Sequence, residues 1–100
     1  MNKATVVKVD GSIQELDHRP SLKEAQQIVG GWIELVKVCQ YDNVGYPKRR
    51  SGAVLVVDED GQGKNKPVNK VITDRYGSSI YGGYIVGDVI LLEGWRTVGC

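Results

Sequence analysis

The run Ala53 to Asp58 sets the tightest limit on what this chain can fold into, because its first five residues are apolar without a break. A strand turns successive side chains to opposite faces, so an unbroken apolar run needs cover on both. The sequence therefore demands a central strand with neighbours beside it and other layers above and below. The neighbours are readable. Lys3 to Val9 alternate and are rich in Val and Thr, and Asp10-Gly11 then marks a tight turn before Ser12 to Asp17, which predicts a β-hairpin. Trp32 to Tyr41 reads as a further strand with Trp32 in the core. Tyr84 to Val86 with Val89 to Leu92 reads as a last one, interrupted at Gly87-Asp88.

Between the hairpin and Trp32 the periodicity changes. Ser21 with Glu24 three positions later forms a capping box, and Leu22, Ala25, Ile28 and Val29 then fall on one helical face. Gly30-Gly31 ends this helix of about nine or ten residues. Gly61 to Lys70 reads as a mobile basic loop, after which Asn69 caps a short helix through about Arg75. Strands that do not alternate with helices predict an α+β fold. The expected architecture is one small domain over 1–92 with a tail over 93–100. It has a mostly antiparallel sheet of about five strands, one main helix packed on one face and a second short helix.

Composition narrows the function. One hundred residues make one domain, and 41% hydrophobic with 25% charged residues is a globular balance. A net charge of +1 argues against a general polyanion binder, so any anion site has to be local. Met1 to Asp10 lacks the apolar stretch of a secretory signal, and Asp88 and Glu93 bracket the apolar run Val89 to Leu92. The expectation is a soluble intracellular protein without a membrane span. Cys39, Cys100 and His18 are too few for a four-ligand zinc site, and no metal or cofactor is expected. Cys39 reads as a small buried hydrophobe, and a disulfide to Cys100 is disfavoured in a reducing compartment.

Catalytic signatures fail on spacing. Gly63-Lys64 lacks the Gly that a phosphate loop needs at position 58, which is Asp, and Asn65 stands where Ser or Thr belongs. Position 66 is Lys, so Gly61-x-Gly63 is no dinucleotide fingerprint. Asp17, His18 and Ser21 are neighbours in an extended loop, where a triad seldom converges. Asp58-Glu59-Asp60 reads as a solvated turn. No enzyme is expected.

The steps Gly30-Gly31-Trp32-Ile33-Glu34, Pro67-Val68-Asn69 and Ile85-Val86-Gly87-Asp88 occur in this order. Together with the hairpin and the capped helix they resemble a family of small phage and bacterial proteins of unknown function. The resemblance spans roughly Thr5 to Leu92. It implies a phage or mobile-element origin, a bacterial cytoplasm and a compact α+β fold, and it carries no activity or site residue. Tyr46 to Ser51 and the segment beyond Glu93 depart from the pattern.

These readings suit a protein that works by binding. Lys48, Arg49 and Arg50 are the densest positive charge, and Ser51 adds a hydroxyl that can join a phosphate contact. Lys64, Lys66 and Lys70 form a second basic segment in the next loop. Tyr76 and Tyr81, set among Gly and Ser, are expected on the surface, where they can stack on a base. The leading expectation is sequestration of a small phosphorylated ligand, such as an immune nucleotide second messenger, between subunits of a homo-oligomer. Docking on a host protein is the alternative, and weak single-strand nucleic-acid binding a third.

Overall fold

Gly11 closes the first hairpin, where the Lys8 N–H donates to the Ser12 carbonyl at 2.9 Å. It joins β1 (Lys3–Val7) to β2 (Ile13–Leu16). The chain continues as α1 (Leu22–Val29), β3 (Ile33–Val38), β4 (Ala53–Asp58), α2 (Lys70–Tyr76) and β5 (Val89–Glu93). This computed structural model describes residues 3–46, 52–77, 80 and 82–94. The five strands form one sheet in the order β2-β1-β5-β4-β3, every pairing antiparallel.

All six residues of β4 are buried, as an unbroken apolar run requires. Alternation divides them. Val54 and Val56 join Ala4, Ile90 and Leu92 on one face, where Ala25 and Val29 bring α1 down. Ala53, Leu55 and Val57 join Val7, Val89 and Leu91 on the other, where Ile72 and Tyr76 bring α2 down. The main helix thus covers one face and the short helix the opposite one. Residues that are 0% exposed, such as Leu55, Ile72 and Ile90, each contribute about 1.5 to 3 kcal/mol by leaving water.

The caps follow the sequence. The Ser21 hydroxyl accepts from the Glu24 N–H at 3.2 Å, and Glu24 accepts from the Ser21 N–H at 3.1 Å. Gly30 ends α1 at φ 83°, a left-handed conformation that a side chain would strain.

The motif steps Pro67-Val68-Asn69 and Ile85-Val86-Gly87-Asp88 meet in one buried network. Asn69 is 0% exposed. Its Nδ2 donates to the Val7 carbonyl at 2.9 Å and the Gly87 carbonyl at 3.0 Å, while its Oδ1 accepts from the Ile72 N–H at 3.2 Å. Its own N–H donates to Ile85, and the Gly87 N–H donates to Pro67. The Asp88 carboxylate accepts from Val9 at 3.0 Å. These residues tie β1, α2 and the approach to β5 together.

Several expectations are corrected. The strand predicted over Trp32 to Tyr41 is Ile33–Val38, and α1 has eight residues. Trp32 is 74% exposed, because it stands before the first paired residue, beyond the last turn of α1. Tyr76 is 2% exposed, because it lies one helical turn after Ile72 on the inward face of α2. Tyr84 to Val86 is not part of the last strand; Val86 forms a lone bridge with Val68. Glu93 belongs to β5 and not to a tail. Cys39 is half-buried and disulfide-bonded, not a free buried thiol. The segment expected as a mobile basic loop folds back on itself, with the Lys64, Asn65 and Lys66 N–H groups donating to Asp60, Gln62 and Gly61.

Candidate functional site

Asp58 follows Val54 and Val56 on the α1 side of β4, so alternation aims its carboxylate at the end of α1. That is an awkward place for an anion, since the last carbonyls of a helix are themselves electronegative. No basic residue stands in the last turn of α1. The cations come from the following loop instead. Lys64 Nζ donates to Asp58 at 2.8 Å and to the Gly30 carbonyl at 3.3 Å. Lys66 Nζ lies 2.6 Å from Asp58 and donates to the Val29 carbonyl at 2.6 Å. Two ammonium groups therefore satisfy the carboxylate and the helix end together.

The Asp58 side chain is 1% exposed. Burial alone raises its pKa, and the hydrogen bonds from Lys64, Lys66 and the Asp60 N–H lower it by more, from 3.8 to about 2. Gly31 makes room for the cluster: a Cβ there would meet Lys64 Nζ at 2.7 Å and Asp58 Oδ1 at 3.0 Å.

Beside this cluster opens a cleft of about 610 Å³, lined by Gln26, Gly31, Trp32, Glu59, Asp60 and Lys64 with Asp58 at its base. Its volume lies within the range of small-ligand sites. A second hollow of about 560 Å³ runs along the other side of β3, lined among others by Glu34, Val36, Ile80 and Tyr84, and it shares Asp58 and Glu59 with the first. Trp32 stands at the first cleft as a large exposed ring. Glu59 and Asp60 are exposed carboxylates beside it. The charge of Lys64 is already engaged by Asp58, so the cleft presents an indole and an acidic rim.

Lys48, Arg49, Arg50, Ser51 and Tyr81 lie outside the described residues. Tyr76 is in the core, where burial pushes its phenol up and the neighbouring Arg75 pulls it back. Lys64 and Lys66 are partners of Asp58 and not a free basic patch. Asp58, expected as solvated, is buried.

His18 is an exposed loop residue, as expected, with a carboxylate at each ring nitrogen: Asp17 at 2.7 Å from Nδ1 and Glu24 at 2.9 Å from Nε2. The Ser21 hydroxyl meets the Glu24 N–H instead, so the three do not assemble as a triad. Among the described residues no group of His, Cys, Asp and Glu is placed to hold a metal ion, and no helix is long and apolar enough to cross a membrane.

Sequence reasoning missed Trp32 as a surface residue. The signal was present: a ring directly after a Gly-Gly helix stop belongs neither to the helix face nor yet to the strand.

Residues 1–97 match the profile of a protein family described as a domain of unknown function (DUF3846). Nothing among the curated proteins or the solved structures matches the chain.

Proposed function

The chain belongs to the DUF3846 family, a domain of unknown function, and from that premise we propose that it is a non-enzymatic binding protein that docks on another protein through the Trp32 cleft. One observation carries this reading: an indole that is 74% exposed stands at the mouth of a cleft. Trp is the residue type most often found as an interface anchor, since it offers a large rigid surface and an N–H. The rim decides what kind of partner suits it. Glu59 and Asp60 are exposed acids on it, and the Lys64 ammonium is held by the Asp58 carboxylate, so a basic segment of a partner fits. An Arg or Lys over the indole gains a cation–π contact as well.

Sequestration of a phosphorylated ligand is the second reading. It is favoured by the volume of the cleft and by Lys64, whose side chain is 41% exposed beside the ring. The acidic rim weighs against it, because a phosphate there faces like charge. The same rim weighs against single-stranded nucleic acid.

Two experiments separate the readings. In a thermal-shift screen of linear and cyclic nucleotides, a ligand present at about 100 times its Kd stabilises by about 2.7 kcal/mol. The docking reading predicts no such shift. It predicts instead a protein partner captured from the host by the wild type and lost by both Trp32→Ala and Glu59→Lys/Asp60→Lys. A nucleotide that stabilises the wild type and not Trp32→Ala would transfer the cleft to the second reading.

A further inference from the structure

The outer edge of β3 is distinct from the cleft, and it is built to be paired. The Trp32 carbonyl accepts from the Glu59 N–H at 2.8 Å, and the register continues from Ile33 opposite Asp58 to Val38 opposite Ala53 without a slip. Alternation along an antiparallel ladder then fixes the main-chain directions. Trp32, Glu34, Val36 and Val38 turn their N–H and carbonyl groups toward β4. Ile33, Leu35 and Lys37 turn theirs outward, and among the described residues no strand lies beyond β3.

Proteins blunt such an edge with a short strand, a bulge, a proline or inward-pointing charges. β3 has six paired residues, no bulge and no proline, and Leu35 at its centre is 59% exposed. Lys37 is the one edge-directed charge. The opposite edge is better defended: β2 has four residues, and one of its two outward-directed positions is Glu15.

We propose that β3 pairs with β3 of a second copy of this chain, antiparallel across a two-fold axis at Leu35, to make one continuous ten-stranded sheet. The occupant follows from the register. Outward-directed residues have to face outward-directed residues, so a two-fold axis passes through a residue and not between two. An axis at Glu34 or at Lys37 sets like charges directly opposite, which is destabilising. An axis at Val36 leaves Ile33 opposite Cys39, which is outside the strand.

The axis at Leu35 uses every outward group. Leu35 meets Leu35 of the partner subunit, and Ile33 meets the partner's Lys37 twice over, each pair exchanging two main-chain hydrogen bonds. Glu34 falls opposite the partner's Val36, so no like charges are directly opposed. The self-complementary strand closes on itself as an isologous dimer and leaves no β3 edge exposed.

The test is the mass in solution with three variants. Light scattering at micromolar concentration gives a particle of twice the 11.0 kDa chain. Leu35→Lys, which places two ammonium groups face to face, weakens self-association by at least about tenfold. Its thermal unfolding, measured below the dimer Kd, stays that of the wild type, since the side chain is exposed in the single chain.

Leu35→Cys forms an intermolecular disulfide on mild oxidation, because hydrogen-bonded pairs hold their Cα atoms about 5.5 Å apart. Lys37→Cys does not, being offset from itself by four residues, about 13 Å. A wild type that stays a single chain overturns the proposal. So does a dimer that Leu35→Lys leaves intact, or one in which Lys37→Cys cross-links and Leu35→Cys does not. The docking reading rests on the Trp32 side chain, which stands opposite the partner's Val38 at the end of this seam, and Trp32→Ala tests it with the Leu35 axis left in place.

Discussion

Lys64 and Lys66 each hold two acceptors, the Asp58 carboxylate and a terminal carbonyl of α1, and this sharing makes the cluster sensitive to acid. The folded pKa of Asp58 is about 2 against an ordinary 3.8. A lowered carboxylate stabilises the fold fully above its unfolded value and loses that contribution as pH falls through the folded one. The loss therefore falls between about pH 4 and pH 2 and amounts to about 2 kcal/mol. Chemical denaturation across that window is expected to show the loss in the wild type and a smaller slope in Asp58→Asn, which is less stable at neutral pH. His18 titrates in the opposite sense. Hydrogen bonds to Asp17 and then to Glu24 raise its pKa above 6.5, so its contribution is present at lower pH and is lost as pH rises through the folded value. Its NMR titration midpoint is expected to fall toward 6.5 in Glu24→Gln. Thr5 is a separate case. It is 7% exposed, and its hydroxyl is buried without a hydrogen-bond partner. Thr5→Val replaces it with a group of the same shape and is expected to stabilise by about 1 kcal/mol, read as a raised melting temperature.

At the scale of elements, the helices differ in what starts them. α1 begins with a reciprocal cap made from four consecutive residues, and Ser21→Ala is expected to cost about 1 kcal/mol. α2 begins at Asn69, whose side chain also bonds two carbonyls from distant segments. Asn69→Ala leaves the Val7 and Gly87 carbonyls and the Ile72 N–H without their partner in the core and is expected to cost about 3 kcal/mol. Equal losses in the two variants would mean that Asn69 acts only as a cap. This contrast also explains what was legible in the sequence. The capping box, the Gly30 stop, the hairpin turn and the doubly covered β4 are written in neighbouring residues, so pattern alone finds them. The burial of Asp58 depends on Lys64 and Lys66 folding back over it, and the burial of Tyr76 depends on α2 lying on the sheet. Neither has a local signature. Trp32 was misplaced because its apolar character was weighed without the end of α1 beside it. Most of the candidate cleft was thus illegible, since α1, β4 and the loop after β4 meet only in the fold.

For the whole molecule, the sheet order puts the two best-covered strands, β4 and β5, next to each other and sends β2 and β3 to the edges. The helices take opposite faces, and β3 keeps two exposed large apolar side chains, Trp32 before its first residue and Leu35 at its middle. Both are exposed, so replacing either one is expected to leave the stability of the single chain, measured below the dimer Kd, within about 0.5 kcal/mol of the wild type while changing what the protein binds. That separation of stability from association is what a binding protein shows. The central claim is that the Trp32 cleft receives a partner protein, and a photo-crosslinking amino acid at position 32 tests it most directly, with the same group at exposed Ile13 on the far edge as the control. Irradiation in cells that carry the protein is expected to give a discrete adduct with a different protein from position 32, besides any adduct with the second copy whose Val38 stands opposite it, absent from position 13 and lost in Glu59→Lys/Asp60→Lys. An adduct only with a second copy of this chain, or the same adducts from both positions, would contradict it.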